Sequence, residues 1–247
     1  MMYVLKKSGI LCISITIILV VLLSILLGGM LKSDSIKNTS TKPYTLVIDA
    51  GHGGVDGGVT GVSTGVKESD LNLVLSKKLS NIASSGIFNT ILTRKTADGL
   101  YGLATKGFKQ RDMQKRAEII AKSGANFVIS IHQNTYSNAS RRGIQVFYSD
   151  NGNGETKTFA TYMQNYLNTT MNIPTINRGF TAQNGDFFIV KCSKIPSIII
   201  ECGFLSNVDD ERLLLDSKYQ DKLVANILSA LQGFIEEQNK KKFDEKA

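Results

Sequence analysis

The 247-residue chain has only two histidines, and each ends an apolar run. "TLVIDAGH" stops at His52 and "NFVISIH" stops at His132; a third run, "SIIIE", stops at Glu201. A fourth group, Glu68, directly precedes Ser69, a residue type that favours the N-cap of a helix. Successive members are 16, 64 and 69 residues apart, so no local motif gathers them and a fold has to. Two neutral imidazoles and a carboxylate suit Zn²⁺, which takes nitrogen and oxygen donors tetrahedrally; three protein donors leave the fourth place to water. Such a metal polarises a carbonyl and brings the pKa of water towards about 7. A neighbouring carboxylate that is not a ligand takes the water's proton and passes it to a leaving nitrogen. That chemistry assigns His52, Glu68 and His132 to the metal and Glu201 to acid–base work. A lone histidine at a strand end is usually structural. Both histidines at strand ends, beside carboxylates, favour the functional reading, and a carboxylate abutting "III" is costly to bury unless paired or functional.

Positioning these groups needs strands and helices in alternation, and the pattern from Tyr44 onward provides it. "YTLVID", "FNTILTR", "NFVISIH", "GIQVFYS", "DFFIVK" and "SIIIEC" read as strands. Helical spacing sets Leu71, Val74, Leu75, Leu79 and Ile82 on one face, with Gly86 as the closing cap. It does the same for Met113, Ala117, Ile120 and Ala121 before Gly124. A helix near 155–171 shows Phe159, Tyr162, Met163, Tyr166 and Leu167, and a last long one shows Leu223, Val224, Ile227, Leu231 and Phe234. The expected class is α/β, a mostly parallel sheet with helices on both faces. In such sheets chemistry collects outside the carboxyl ends of the strands, where all four groups would then lie. Gly51, Gly53, Gly54, Gly57 and Gly58 allow tight turns around the site. They make no dinucleotide fingerprint, because Asp56 stands where a third glycine is needed; P-loop and G-x-S-x-G spacings are absent too.

The N-terminus sets the location. Lys6 and Lys7 precede 24 uncharged residues, 8–31, longer than the roughly 20 needed to cross a bilayer. Positive charge before the run keeps the N-terminus inside and sends the remainder of the chain outward. The length, and the lack of a small-x-small exit, favour an uncleaved membrane anchor over a signal peptide. Residues 32–43 read as a polar linker, 44–238 as the catalytic domain and 239–247 as a charged tail. The net charge of +8 comes without a basic stripe interleaved with aromatics, so nucleic acid is not an expected partner. Three cysteines exclude a disulfide framework; Cys192 and Cys202 read as small buried hydrophobes.

Taken together, "VIDAGHGGVDGGVTG", "GVKESDLNLVLSKKL", "KRAEIIAKSGANFVISIHQN" and "PSIIIECGFLSN" resemble the zinc-dependent N-acetylmuramoyl-L-alanine amidases. Departures are small, with Gly57 where relatives often carry proline and "ESD" where "EKD" is common. The resemblance implies a six-stranded α/β fold of the phosphorylase/hydrolase type. It places His52, Glu68 and His132 at the family's zinc ligands and Glu201 at its catalytic glutamate, the same four the residues themselves suggest. It implies peptidoglycan as substrate, cut between muramic acid and L-alanine on the extracytoplasmic side of a bacterial membrane. "TKGFKQRDMQKRAEII" is similar to the germination-type amidases of spore formers, which implies the spore cortex and the forespore intermembrane space as setting. Some amidases of the wider family are regulated by exported protein partners. Asn134, beside His132, is a candidate substrate contact. Arg178 and Lys191 are candidates for substrate carboxylates, although a solvated role is the commoner outcome for such residues, as for Arg141 and Arg142. The rival readings are another exported zinc hydrolase, a peptidase or deacetylase, and a wall-binding protein without catalysis.

Overall fold

The computed structural model describes residues 44–150, 154–172 and 179–245. The expected anchor, the 32–43 linker and Arg178 lie outside them. In chain order the elements are β1 (Tyr44–Ala50), α1 (Glu68–Ser84), β2 (Phe88–Leu92), α2 (Phe108–Lys122) and β3 (Phe127–Asn134). They continue with β4 (Gln145–Tyr148), α3 (Gly154–Thr170), β5 (Gln183–Asn184), α4 (Phe188–Lys191), β6 (Ser197–Phe204), α5 (Val208–Leu215) and α6 (Ser217–Asp244).

One six-stranded sheet runs in the order β2-β1-β3-β6-β4-β5. β2, β1, β3 and β6 are mutually parallel, whereas β4 pairs antiparallel with β6 and carries β5 parallel to itself. The alternating side chains of each strand feed two cores. Leu46 and Ile48 of β1 point into the larger one, with Leu75 and Leu79 of α1, Phe159 of α3 and Phe234 of α6. Val47, Val128 and Ile199 point the other way, onto Ile120 of α2 and Ile189 and Val190 of α4. Burying each such aliphatic side chain contributes roughly 1.5–3 kcal/mol. Among the described residues no helix is long and apolar enough to cross a membrane.

Several local expectations are corrected. "DFFIVK" is not a strand: 188–191 form a single helical turn. A turn lets the neighbours Ile189 and Val190 both bury in the second core, whereas a strand would send them to opposite faces. Val74 and Ile82 are exposed, since the buried face of α1 is Leu71, Leu75, Leu79 and Ala83. Gly86 closes α1 by a turn to the Ala83 carbonyl, without the left-handed backbone that Gly124 adopts after α2. Ser69 lies inside α1 and caps nothing; Lys67 is the N-cap. Loop carbonyls do the capping, Val59 accepting from the Glu68 N–H and Gly57 from the Ser69 N–H. The buried face of α2 is Asp112, Arg116 and Ile120, not the row of Met113, Ala117 and Ala121. Residues 239–244, expected as the start of a charged tail, continue α6. Cys192 and Cys202 are free thiols, the first half-buried and the second buried.

Candidate metal centre and active site

Parallel pairing brings the ends of β1, β3 and β6 to one edge. Ala50 pairs with Ile131, and His132 pairs directly with Glu201. Glu68, first residue of α1, enters the same edge. One donor atom each from His52, Glu68 and His132 falls within 4.8 Å of the others. Glu68 Oε1 lies 3.3 Å from His52 Nε2 and 2.8 Å from His132 Nδ1. Zinc bonds of 2.0–2.1 Å in a tetrahedron set donors about 3.3 Å apart, so these two imidazoles and this carboxylate fit that ion in kind and spacing. The two rings meet nearly edge-on, 5.0 Å between centroids.

His52 and Glu68 are held from behind. His52 Nδ1 lies 3.1 Å from Asp56 Oδ2, leaving Nε2 for a ligand; a carboxylate on the far nitrogen fixes tautomer and ring orientation. Glu68 Oε2 accepts from the Val59 N–H at 2.9 Å, and Oε1 from the Gln133 N–H at 3.1 Å. Two glycines make the space. A Cβ on Gly51 would lie 2.2 Å from His132 Nε2, and one on Gly58, whose φ is +68°, 2.3 Å from Glu68 Oε2.

His52 itself is the only non-glycine residue with positive φ among those described, at 60°. That costs of order 1–3 kcal/mol and persists only where the surroundings impose it. Here they are two buried arginines. Arg116 donates to the carbonyls of Ala50 and His52, both at 2.7 Å, and Arg94 to those of Ala50 and Gly51, at 2.9 and 3.0 Å. Three consecutive carbonyls of the turn are thereby satisfied. Arg116 is neutralised by Asp49 and Asp112, each at 2.6 Å, and Asp49 also accepts from Ser130 and Thr93.

The electrostatics divide the carboxylates. Burial works to raise the Asp49 pKa, but Arg116, Ser130 and Thr93 outweigh it and hold the group at about 2. Burial likewise opposes the charge of Glu68, yet bonds from His132 and His52 keep it well below the usual carboxylate range. His52 goes the other way: burial favours its neutral form, and Glu68 and Asp56 together raise it above 6.5. Glu201 has no such compensation. Burial, reinforced by the Glu68 charge and only partly offset by the two histidines, pushes it up to about 7. Its Oε2 is buried with no hydrogen-bond partner. A carboxyl so poised at neutral pH suits proton transfer. A cavity of about 340 Å³ opens beside His52 and His132, walled by Phe108 and Met113 of α2 and by Phe187 and Ile189.

Asn134, Lys191 and Arg142 are not among the residues that line this cavity. Asn134 ends β3, and its side chain accepts from the Thr135 N–H. Lys191 is exposed and ion-paired with Asp186, and Arg142 with Asp209 and Asp210. Sequence reasoning missed Asp49, Asp56, Arg94 and Arg116. The available signal was Arg116, a charge four residues before Ile120 on the face that Ile120 buries.

Known proteins place this architecture. Residues 46–233 match the family model described as N-acetylmuramoyl-L-alanine amidase. The chain is 31% identical over 210 residues to the germination-specific N-acetylmuramoyl-L-alanine amidase of Bacillus subtilis, covering 81% of this chain and 86% of that one. Among solved structures it is similar to the CwlD amidase from Clostridioides difficile in complex with the GerS lipoprotein, with TM-score 0.72, 32% identity, and 78% and 98% of the two chains covered. It is also similar to an N-acetylmuramoyl-L-alanine amidase from Clostridium difficile 630, with TM-score 0.69, 27% identity, and 79% and 98% covered.

Proposed function

Because this chain belongs to the N-acetylmuramoyl-L-alanine amidase family and cleaves that amide in peptidoglycan, we propose that it works as a zinc enzyme of the spore cortex. His52, Glu68 and His132 hold the metal and Glu201 moves the proton. The observation that carries this reading is the convergence of three donor atoms within 4.8 Å, with Glu201 paired across the strand to His132. When bound, zinc supplies a Lewis acid for the lactyl carbonyl and acidifies water. The Glu201 carboxylate takes a proton from the attacking water and delivers it to the leaving nitrogen of L-alanine. The C–N bond breaks, leaving a lactyl carboxylate on muramic acid and a free amino terminus on the stem peptide. Asp56 keeps His52 turned with Nε2 inward, and Arg94 and Arg116 keep its backbone in place.

The cortex setting is supported by the likeness to the germination-specific relative, and it makes removal of the peptide the step before muramic-δ-lactam formation. The likeness to a structure solved with a lipoprotein supports an exported protein partner. Residues 8–31 supply a membrane anchor, with 32–43 as tether and the domain from 44 on the extracytoplasmic face. Mass spectrometry of muropeptides tests the reaction. Parent protein should release peptides beginning with L-alanine, chelation should stop release and Zn²⁺ restore it, and Glu201→Gln should lower turnover about 10²–10⁴-fold. Release cut elsewhere, or unimpaired by chelator, contradicts the reading.

A further inference from the structure

The segment that leaves β3 carries an arginine in an unusual state. The Arg141 guanidinium lies 4.7 Å from the ring centroid of Tyr136, 5.2 Å from that of Phe180 and 5.7 Å from that of Phe204. Phe180 and Phe204 are stacked on each other at 6.1 Å. The rings come from three separate stretches of chain, and the segment is tied down. The Tyr136 N–H bonds Ser206 Oγ, and Asn207 Nδ2 bonds the Ala139 carbonyl.

Every other arginine among the described residues gives its guanidinium to carboxylates or carbonyls: Arg94, Arg111, Arg116, Arg142 and Arg212. The Arg141 side chain has no hydrogen-bond or ion-pair partner among them, and its Nε is buried and unsatisfied. The nearby acids are already engaged, since Asp209 and Asp210 pair with Arg142. Rings beneath a guanidinium favour its charge, and, unlike the buried Nε, the two terminal amino groups stay open to a ligand. A planar fork of free donors is the complement of a carboxylate.

Its place in the fold indicates which carboxylate. Phe204, under the guanidinium, pairs with Asn134, while Glu201 pairs with His132. Phe204 lies three steps beyond Glu201 along β6, about 10 Å at 3.3 Å per residue. An extended peptide advances at most about 3.3–3.6 Å per residue. A peptide leaving the reaction centre along this edge brings its second or third residue to Arg141.

We propose that Arg141, in its cradle of Tyr136, Phe180 and Phe204, is a carboxylate subsite that reads an acidic second residue of the stem peptide. The proposal rests on the amidase reading and adds a specificity determinant to it.

The test uses full-length zinc-loaded protein and two muramoyl dipeptides that differ only at the second residue, which bears a free carboxylate or the primary amide. The parent should prefer the carboxylate by about 10- to 100-fold in kcat/KM, the scale of a charge-assisted hydrogen bond. Arg141→Gln should bring the ratio near one, chiefly through KM. Arg141→Lys, which keeps the charge and loses the fork, should retain part of the preference. A role in packing alone would slow both substrates alike and leave the ratio unchanged in Arg141→Gln, which overturns the proposal. Equal cleavage of both by the parent overturns it too and leaves the amidase reading standing. Cleavage of neither by the parent overturns the amidase reading and this subsite with it.

Discussion

Replacing Arg116 with methionine should remove about 3–5 kcal/mol of stability, the usual loss when one partner of a buried ion pair is deleted. The side chain is fully buried against Asp49, which is 1% exposed, so the substitution strands a carboxylate with Ser130 and Thr93 as its remaining partners. The ionisation of Asp49, held at about 2 against a reference of 3.8 by Arg116 together with Ser130, Thr93 and His132, gives a second order of magnitude. At about 1.4 kcal/mol per unit this is roughly 2 kcal/mol. In the parent this stability is present above the unfolded pKa and is lost only as pH falls through about 2. In the variant the buried carboxylate has no cation, its pKa rises, and protonation at mildly acid pH relieves the strain. The stability gap between the two proteins should therefore be widest near pH 7 and narrow towards pH 4.5. Urea denaturation at both pH values, with unchanged m, measures it. A loss below about 1 kcal/mol at pH 7, or a gap that does not change with pH, would refute the role given to this pair.

Two further substitutions address the metal site. Gly51→Ala would place a methyl 2.2 Å from His132 Nε2 in a residue whose backbone tolerates alanine. Zinc affinity by calorimetry should fall at least about tenfold, the scale of losing a ligand's support, while far-UV circular dichroism stays as in the parent; parent-like affinity would contradict the geometry. Asp56→Asn should weaken zinc about 10–100-fold by freeing the His52 ring. In the parent, Glu68 and Asp56 raise the His52 pKa from its ordinary value, so zinc must displace its proton and affinity should fall as acidification protonates the ring. Without the Asp56 charge the pKa of His52 drops, and that decline should move to lower pH. Chelator competition between pH 5.5 and 8 reads both, and superimposable profiles would count against the His52–Asp56 pair.

The meeting of His52, His132 and Glu201 at one sheet edge was legible in the sequence because three apolar runs end in these groups, and parallel pairing needs only their alternation with helices. Glu68 was legible from the start of α1, although the loop carbonyls of Gly57 and Val59, and not Ser69, cap that helix. The support behind the cluster was not legible. Asp49 closes an apolar run and Asp56 sits among glycines, where acidic residues commonly mark turns; nothing local tells that one meets Arg116, 67 positions on, and the other His52. Arg116 was passed over because helical periodicity counts apolar residues. Here the buried face of α2 runs through an aspartate and an arginine that neutralise each other. "DFFIVK" misled for a related reason: short apolar runs carry no period that separates one helical turn from a strand.

Anomalous diffraction at the zinc edge, from crystals of the zinc-loaded protein, tests the metal centre most directly. A single peak about 2 Å from His52 Nε2, Glu68 Oε1 and His132 Nδ1, with Glu201 beside it and not bonded to it, is the predicted result. No peak among these three side chains, or a metal held elsewhere in the chain, would contradict it.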